Sequence, residues 1–327
     1  MNGWLIVNGF LRSEKFDDLY RLLDAAFRSK GASLTVFPNT AFVNPAGEPP
    51  LPPSRPLTPL KPLSPLKPLT PSKPLAPLKP LEKACQPDFV IFWDKDTALA
   101  RRFEDAGLPV FNSSAAIACC DDKIQTALAL TRSGVPTPRT IFAPKTFEGV
   151  GRDSLEFLQA AADTLKLPMV IKEACGSFGQ QVYLAQTIGE AQDIVRRIGH
   201  KDFLMQEFVA TSRGQDLRVN VVGGEVVAAM RRFNATDFRS NVTLGGGTEP
   251  ASPTPAQRDA ALAACKAVGA DFAGVDILFG PNGAPLVCEV NSNPHFRSTL
   301  DCTGVNLADA VAAHVLRRLN SATSLTL

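Results

Sequence analysis

The chain is short of the residues that usually announce metal or redox chemistry. Its three histidines, His200, His295 and His314, are too far apart in sequence to give a ligand spacing. Its seven cysteines are scattered, Cys119 and Cys120 adjoin, and no Cys-x-x-Cys occurs. That pattern disfavours a zinc site and a disulfide framework and predicts reduced thiols in a cytoplasm. An excess of one charge is missing too. The net charge is +2, so neither a nucleic-acid nor a membrane-surface footprint is read. No apolar run approaches the length of a membrane span. The opening residues, 1–7, lack a basic region and a cleavage site, so no signal peptide is read. Gly-Lys-Ser/Thr and Gly-x-Gly-x-x-Gly are both absent, which excludes a Walker A loop and a Rossmann turn.

What is present fits a globular protein of two or three subdomains. Apolar residues make up 45% and charged residues 20% of 327. Residues 4–11, 34–37 and 89–93 read as strands, with helices near 16–30 and 96–106. Alternating strand and helix predicts a small parallel α/β unit over 1–112. An insert at about 45–83 interrupts it. From Ser54 to Leu81 proline recurs at every third position, which demands polyproline II, with a reach on the order of 85 Å. A repeat expansion tolerated in a surface loop accounts for this tract. A ligand for an aromatic groove on a partner is the alternative.

A second α/β arrangement is expected after 112. Helices are predicted near 121–133, 153–165 and 189–199, with strands at 140–143, 168–172, 182–185 and 203–208. A hairpin follows, 216–222 and 225–232, turning at Gly223-Gly224. The helix over 255–268 has a clear start: Thr254 caps it, Pro255 suits its first turn, and Gln257 completes a capping box. A last hairpin, 274–279 and 286–291, is centred on Asn282-Gly283, a strong two-residue turn signal.

That last hairpin carries three oxygen ligands. Counting outward from its centre puts Asp276 across from Glu289, and Asn291 shares the face of Glu289. The flanking Val, Ile, Leu and Phe predict burial, and buried carboxylates need a partner. Two carboxylates and an amide oxygen suit Mg²⁺ or Mn²⁺ rather than zinc.

Lys172 ends an apolar strand, where a lysine is costly unless an anion waits. Gly176, Ser177 and Gly179 follow in a loop whose backbone N–H groups could cover phosphates. Lys123, after Asp121-Asp122, reads alone as a surface lysine. Arg218 shares a strand face with Asp216, and residues 237–247 concentrate polar donors beside a glycine run.

Together these residues resemble the ATP-grasp superfamily, and within it the RimK-type carboxylate–amine ligases (alpha-L-glutamate ligase-like). The resemblance spans about 112–318 and rests most on Asp237-Phe238-Arg239-Ser240-Asn241, Ala273-Gly274-Val275-Asp276-Ile277-Leu278 and Glu289-Val290-Asn291. Lys172 with its glycine loop and Gln206-Glu207 stand at matching intervals. It implies an α/β (α+β ATP-grasp) fold. Residues 1–112 form a pre-ATP-grasp domain, 113–203 a central subdomain and 204–327 a C-terminal subdomain with the metal site.

The resemblance also implies roles. Lys123 and Lys172 contact ATP phosphates, with Gly176, Ser177 and Gly179 in the phosphate loop. Gln206 and Glu207, with the backbone of Phe208 and Val209, form the hinge that reads adenine and ribose. Asp216, Arg239, Ser240 and Asn241 are further nucleotide contacts. Asp276, Glu289 and Asn291 hold two Mg²⁺ ions. Arg218 and Arg232 lie near the transferred phosphate and the substrate. Strict hairpin parity about Gly223-Gly224 puts Arg231 on the face of Asp216 and Arg218, whereas spacing to Arg239 favours Arg232. The implied reaction is phosphoryl transfer from ATP to a carboxylate, then attack by an amine on the acylphosphate. Asp276→Ala or Glu289→Ala is expected to abolish ATP turnover with the fold intact.

The chain departs from the RimK pattern at Gln181, where a glycine is usual. It departs again after Asn291, where Ser292-Asn293-Pro294-His295-Phe296 replaces Ala-Ser-Pro-Gly. His295 reads as an ordinary packed or exposed histidine, with substrate contact or general-base action as the alternative. The substrates implied are a small-molecule or peptide carboxylate and an amine. An ATP-grasp phosphotransferase would release ADP without an amine, and a non-catalytic module would bind ATP without turnover. A homo-oligomer and a partner for the proline tract stay open.

Overall fold

A computed structural model of the chain describes residues 1–11, 13–43, 50, 86–176, 179–240 and 245–324. The proline repeat from Ser54 to Leu81 lies outside them. The chain divides into two compact units, Met1–Ser114 with Val315–Leu327, and Ala115–His314. Among the described residues no helix is long and apolar enough to cross a membrane.

The first unit begins β1 (Asn2–Val7), α1 (Glu14–Ser29), β2 (Ser33–Pro38), β3 (Phe89–Trp93), α2 (Thr97–Asp105) and β4 (Val110–Phe111). Its sheet runs β2-β1-β3-β4, all parallel, as the alternating pattern predicts. Every residue of β3 is buried, which is why it reads as an unbroken apolar run. Trp4, Phe37, Phe42 and Phe103 interlock edge to face on one side of that sheet. Asp96 caps α2 by accepting from the backbone N–H of Leu99.

The second unit holds α3 (Ser114–Asp121, from its second residue), α4 (Lys123–Arg132), β5 (Thr140–Phe142), α5 (Phe157–Leu165), β6 (Met169–Glu173), β7 (Val182–Ala185), α6 (Ile188–Ile198) and β8 (Phe203–Glu207). It continues with β9 (Gln215–Val222), β10 (Glu225–Phe233), β11 (Gly247–Pro250), α7 (Pro255–Val268), β12 (Phe272–Phe279), β13 (Pro285–Asn291), α8 (Arg297–Thr303) and the start of α9 (Leu307–Ser324). The helix predicted over 121–133 is α4, and a separate helix, α3, ends just before it at Asp121. The Asp122 side chain accepts from the N–H groups of Ile124 and Gln125, so α4 starts afresh at Lys123.

Two antiparallel sheets result, β5-β8-β6-β7 and β11-β10-β9-β12-β13. Helices α5 and α6 cover one face of the first through Leu158, Ile194 and Val195, packed against Ile171, Phe203 and Met205. Helix α7 covers one face of the second through Ala261, Ala264 and Val268 against Leu217, Val219, Val275 and Ile277. The capping box of α7 forms as predicted. Because side chains alternate along a strand, burying Leu217, Val219 and Val221 under α7 turns Asp216, Arg218 and Asn220 to the opposite face.

Candidate active site

That opposite face is polar, and register decides which residues meet there. Asp276 of β12 lies opposite Arg218 of β9 on one side and Glu289 of β13 on the other. The Asp276–Glu289 pairing counted from the sequence is present, by a less simple route. The turn is wider than two residues, with Phe279 opposite Pro285 and Pro281–Gly283 forming a helical turn. A bulge at Cys288 then restores the count, so that Asp276 meets Glu289. A bulge also settles the choice between Arg231 and Arg232. Val226 pairs with Val221 and Ala228 with Asn220, which leaves Val227 unpaired and brings Arg232 opposite Asp216. Arg231 turns away to Glu249 (2.7 Å) and Gln215 (2.6 Å).

Four buried charges then close on one another. Arg218 donates to Asp276 through Nε and, at 2.9 Å, through Nη2. Arg232 Nε donates to Asp216 Oδ1 at 2.7 Å, its Nη2 donates to Asp216 Oδ2, and the same Nη2 stands 3.0 Å from Asp276 Oδ1. Burial disfavours the charge on Asp276, yet the two guanidiniums overcome it and hold that carboxyl below the usual range. The two carboxylates likewise overcome burial at Arg232 and raise its pKa above the ordinary guanidinium value. Gly274 is opposite Asn220, and its lack of a side chain has a use here. A Cβ there would come within 2.9 Å of Arg218 Nη1 and 3.0 Å of Pro294 Cβ.

Among the described residues, no three of His, Cys, Asp and Glu gather as a metal cluster. The donors that do converge are the mixed set read from the sequence. Glu289 is half-buried, with no hydrogen bond or ion pair among the described residues. Asn291 donates weakly to the Gly274 carbonyl at 3.4 Å through Nδ2, which leaves its Oδ1 unengaged among those residues. Asp276 accepts three guanidinium contacts and keeps room for one more. Unengaged hard oxygens on one face fit a Mg²⁺-like cation and suit zinc poorly.

A pocket opens beside this face, lined by Lys123, Thr140, Lys172, Gln206, Cys288 and Glu289 among others. Lys172 is buried in β6, and its Nζ donates to Gln206 Oε1 at 2.7 Å and lies 3.2 Å from Cys288 Sγ. Gln206 Nε2 donates in turn to Thr140 Oγ1 at 2.9 Å, so the Gln206 amide is spent on orienting Lys172. Lys123 reaches the Gly176 carbonyl at 3.4 Å, and its backbone N–H donates to the Ala174 carbonyl. Gly176 has φ of +155°, and a Cβ on it would strike the Gln181 side chain at 2.5 Å.

Other expected contacts are engaged differently from the reading of the sequence. Both Glu207 oxygens accept from Arg139, one from its backbone N–H and one from Nε, each at 2.8 Å. Asp216 is spent on Arg232. Arg239 is gripped by Asp237 and donates to the carbonyls of Gly179 and Val182, tying the 237–240 segment to the glycine loop. Those Arg239 hydrogen bonds hold the Asp237 carboxyl below its usual range. Ser240 is buried, while Ser177 and Asn241 fall outside the described residues. Sequence reasoning missed Arg139, Thr140 and Cys288, none of which carries a local signal in the sequence.

Comparison with known proteins agrees with this arrangement. The RimK-like ATP-grasp domain family matches residues 120–315. A protein of Shewanella amazonensis named "Probable alpha-L-glutamate ligase 2" is 39% identical over 221 residues, 67% of this chain and 70% of its own. A "Probable alpha-L-glutamate ligase" of Thioalkalivibrio sulfidiphilus is 37% identical over 222 residues, 67% of this chain and 71% of its own. The crystal structure of a RimK domain ATP-grasp protein from Sphaerobacter thermophilus superposes with a TM-score of 0.67 at 20% identity, covering 96% of this chain and 99% of that one. ATP-grasp ligases use ATP and divalent metal ions, and the lysine-lined cavity beside unengaged hard oxygens accords with both. The chain belongs to the RimK-like ATP-grasp family and is an ATP-dependent carboxylate–amine ligase.

Proposed function

We propose that the cavity lined by Lys123, Lys172 and Glu289 is where ATP phosphorylates a carboxylate, and that an α-amino group then captures the acylphosphate. One observation carries this reading: two lysines and Glu289 border one pocket, and Glu289 is paired across the strands with Asp276 of the buried Arg218–Asp276–Arg232–Asp216 cluster. The backbone of Phe208 and Val209 reads the adenine. Lys172, aimed by Gln206, and Lys123 neutralise the phosphates, and Arg239 holds the carbonyls of Gly179 and Val182 behind them. Asp276, Glu289 and Asn291 would hold two Mg²⁺ ions, whose charge would offset that of the phosphates.

The substrate carboxylate oxygen attacks the γ-phosphorus, the bond to the β,γ-bridging oxygen breaks, and ADP leaves. Arg218 and Arg232 face the charge that spreads over the transferred group. The amine nitrogen then attacks the acyl carbon, loses a proton, and expels phosphate to leave an amide. No nucleophilic side chain is needed, so positioning and charge account for the rate. L-glutamate, the substrate given in the relatives' names, is the first amine to test. The test is ADP release across carboxylates and L-amino acids, with products identified by mass spectrometry. Amine-dependent ADP release with an amide product is expected. ADP release without amine and a phosphorylated product would make the chain a phosphotransferase.

A further inference from the structure

Lys172 stands at the end of a hydrogen-bond chain that crosses three strands of the β5-β8-β6-β7 sheet. Thr140 of β5 is opposite Gln206 of β8, and Gln206 is opposite Val170 of β6, two residues short of Lys172 and on its face. Lys172 Nζ donates to Gln206 Oε1 at 2.7 Å, and Gln206 Nε2 donates to Thr140 Oγ1 at 2.9 Å. The Thr140 hydroxyl donates in turn to the Pro138 carbonyl at 2.9 Å. Lys172, Gln206 and Thr140 all line the pocket, so this chain borders open space rather than sealed core.

The direction of the chain is set at its two ends. An ammonium group can only donate, and a backbone carbonyl can only accept. Between them stands a primary amide, whose two arms have nearly the same shape and opposite hydrogen-bonding character. With its proton committed to Pro138, the Thr140 oxygen can only accept from Gln206, so Nε2 faces β5 and Oε1 faces Lys172. Turned over, the amide would set its N–H donors against a buried ammonium and its carbonyl against an oxygen with no proton to give. The last acceptor is itself anchored. Pro138 is buried with its φ fixed by its ring, and the Val287 N–H holds the nearby Pro136 carbonyl at 2.8 Å.

We infer that Thr140 is a positioning residue for ATP: its hydroxyl fixes which arm of the Gln206 amide faces Lys172, and so where the lysine points. The inference rests on the reading of Lys172 as a phosphate contact. The lysine has three N–H donors; one goes to Gln206 and one to Cys288 Sγ at 3.2 Å, which leaves the third for an anion in the pocket. A flexible four-carbon stem held this way before the nucleotide arrives has less freedom to lose on binding. Thr140 acts without touching the nucleotide. Valine there would keep the branched shape that suits a strand and remove only the acceptor.

The test is a double-mutant cycle on the full chain, with ATP in the presence of Mg²⁺ titrated calorimetrically to give Kd. Thr140→Val is expected to raise the Kd for ATP about fivefold or more, and Thr140→Ser, which keeps the hydroxyl, should stay within about twofold of wild type. Lys172→Met should raise Kd about tenfold or more. In the Lys172→Met background Thr140→Val should add less than about twofold, because the hydroxyl acts only through the lysine. A larger added cost in that background overturns the inference and makes Thr140 a structural support of β5. A smaller effect of Thr140→Val in the wild-type chain overturns it too, as does a Thr140→Ser variant that binds as poorly as Thr140→Val. An unchanged Kd for Lys172→Met overturns the phosphate reading of Lys172 itself, and this inference with it.

Discussion

Asp276 and Glu289 face each other across two strands, yet their removal should have very different consequences for folding. Asp276→Asn leaves two buried guanidiniums, Arg218 and Arg232, facing the single carboxylate of Asp216. Removing one partner from a buried ion cluster costs about 3–5 kcal/mol, since the surviving charge cannot return to water. In a unit spanning 115–314 each kcal/mol is worth about 2–4 °C, so a drop on the order of 6–20 °C is expected. Glu289 is half-buried and makes no ion pair among the described residues, so Glu289→Gln should stay within about 0.5 kcal/mol and about 2 °C. Thermal unfolding followed by circular dichroism separates the two, and both variants should lose ADP release. The structure thus revises the sequence-based expectation that either acid can be removed with the fold intact. Adding Arg218→Met to Asp276→Asn rebalances the cluster and should recover several degrees without recovering activity. Equal melting temperatures for Asp276→Asn and Glu289→Gln would refute the electrostatic account.

Three further outcomes are expected. Arg139→Ala removes an exposed ion pair to Glu207 worth up to about 1 kcal/mol, so the KM for ATP should rise about two- to fivefold with kcat nearly unchanged in steady-state assays. Gly274→Ala must displace Arg218 or Pro294, and should lower kcat about tenfold, equivalent to about 1.4 kcal/mol, while the KM for ATP stays within about twofold. Asp94 is 3% exposed with one oxygen unpartnered, and burial raises its pKa against the pull of Asn8 and the Lys95 backbone. A raised folded-state pKa favours the protonated fold, so stability is lost as pH rises from the unfolded towards the folded pKa. Asp94→Asn should therefore stabilise by about 1 kcal/mol near neutral pH, an advantage that melting curves should show vanishing below the ordinary carboxylate range.

Periodicity and local chemistry made much of this legible. The buried run Phe89–Trp93 and the capping box at Thr254 and Gln257 could each be placed from short stretches, because burial on both faces and a capped turn leave local marks. Strand β4 is only two residues, and β11 follows a glycine run, so neither carries a pattern long enough to read. The bulges at Val227 and Cys288 were invisible for another reason. A bulge is decided by which partner residues pack on the far side, and here the burial of Arg232 and Asp276 selects it. For the same reason the arginines that hold the Asp216 and Glu207 carboxylates, Arg232 and Arg139, were not visible as their partners in the sequence. The oxygen donors of the last hairpin were legible because their spacing is local.

The bulge at Val227 has a bearing on how this hairpin can change length over time. In a regular hairpin, losing one residue reverses the facing of everything beyond the loss. Here Val227 is a spare link between the turn at Gly223-Gly224 and the strand that carries Arg232. Its deletion would leave a regular ladder with Arg232 still opposite Asp216, whereas deletion of any residue from 228 to 231 would present the wrong side chain unless the slack at 227 were taken up. The hairpin therefore holds one residue of play in reserve, on the turn side of its charged residues. A chain one residue shorter at this tip would keep Arg232 opposite Asp216.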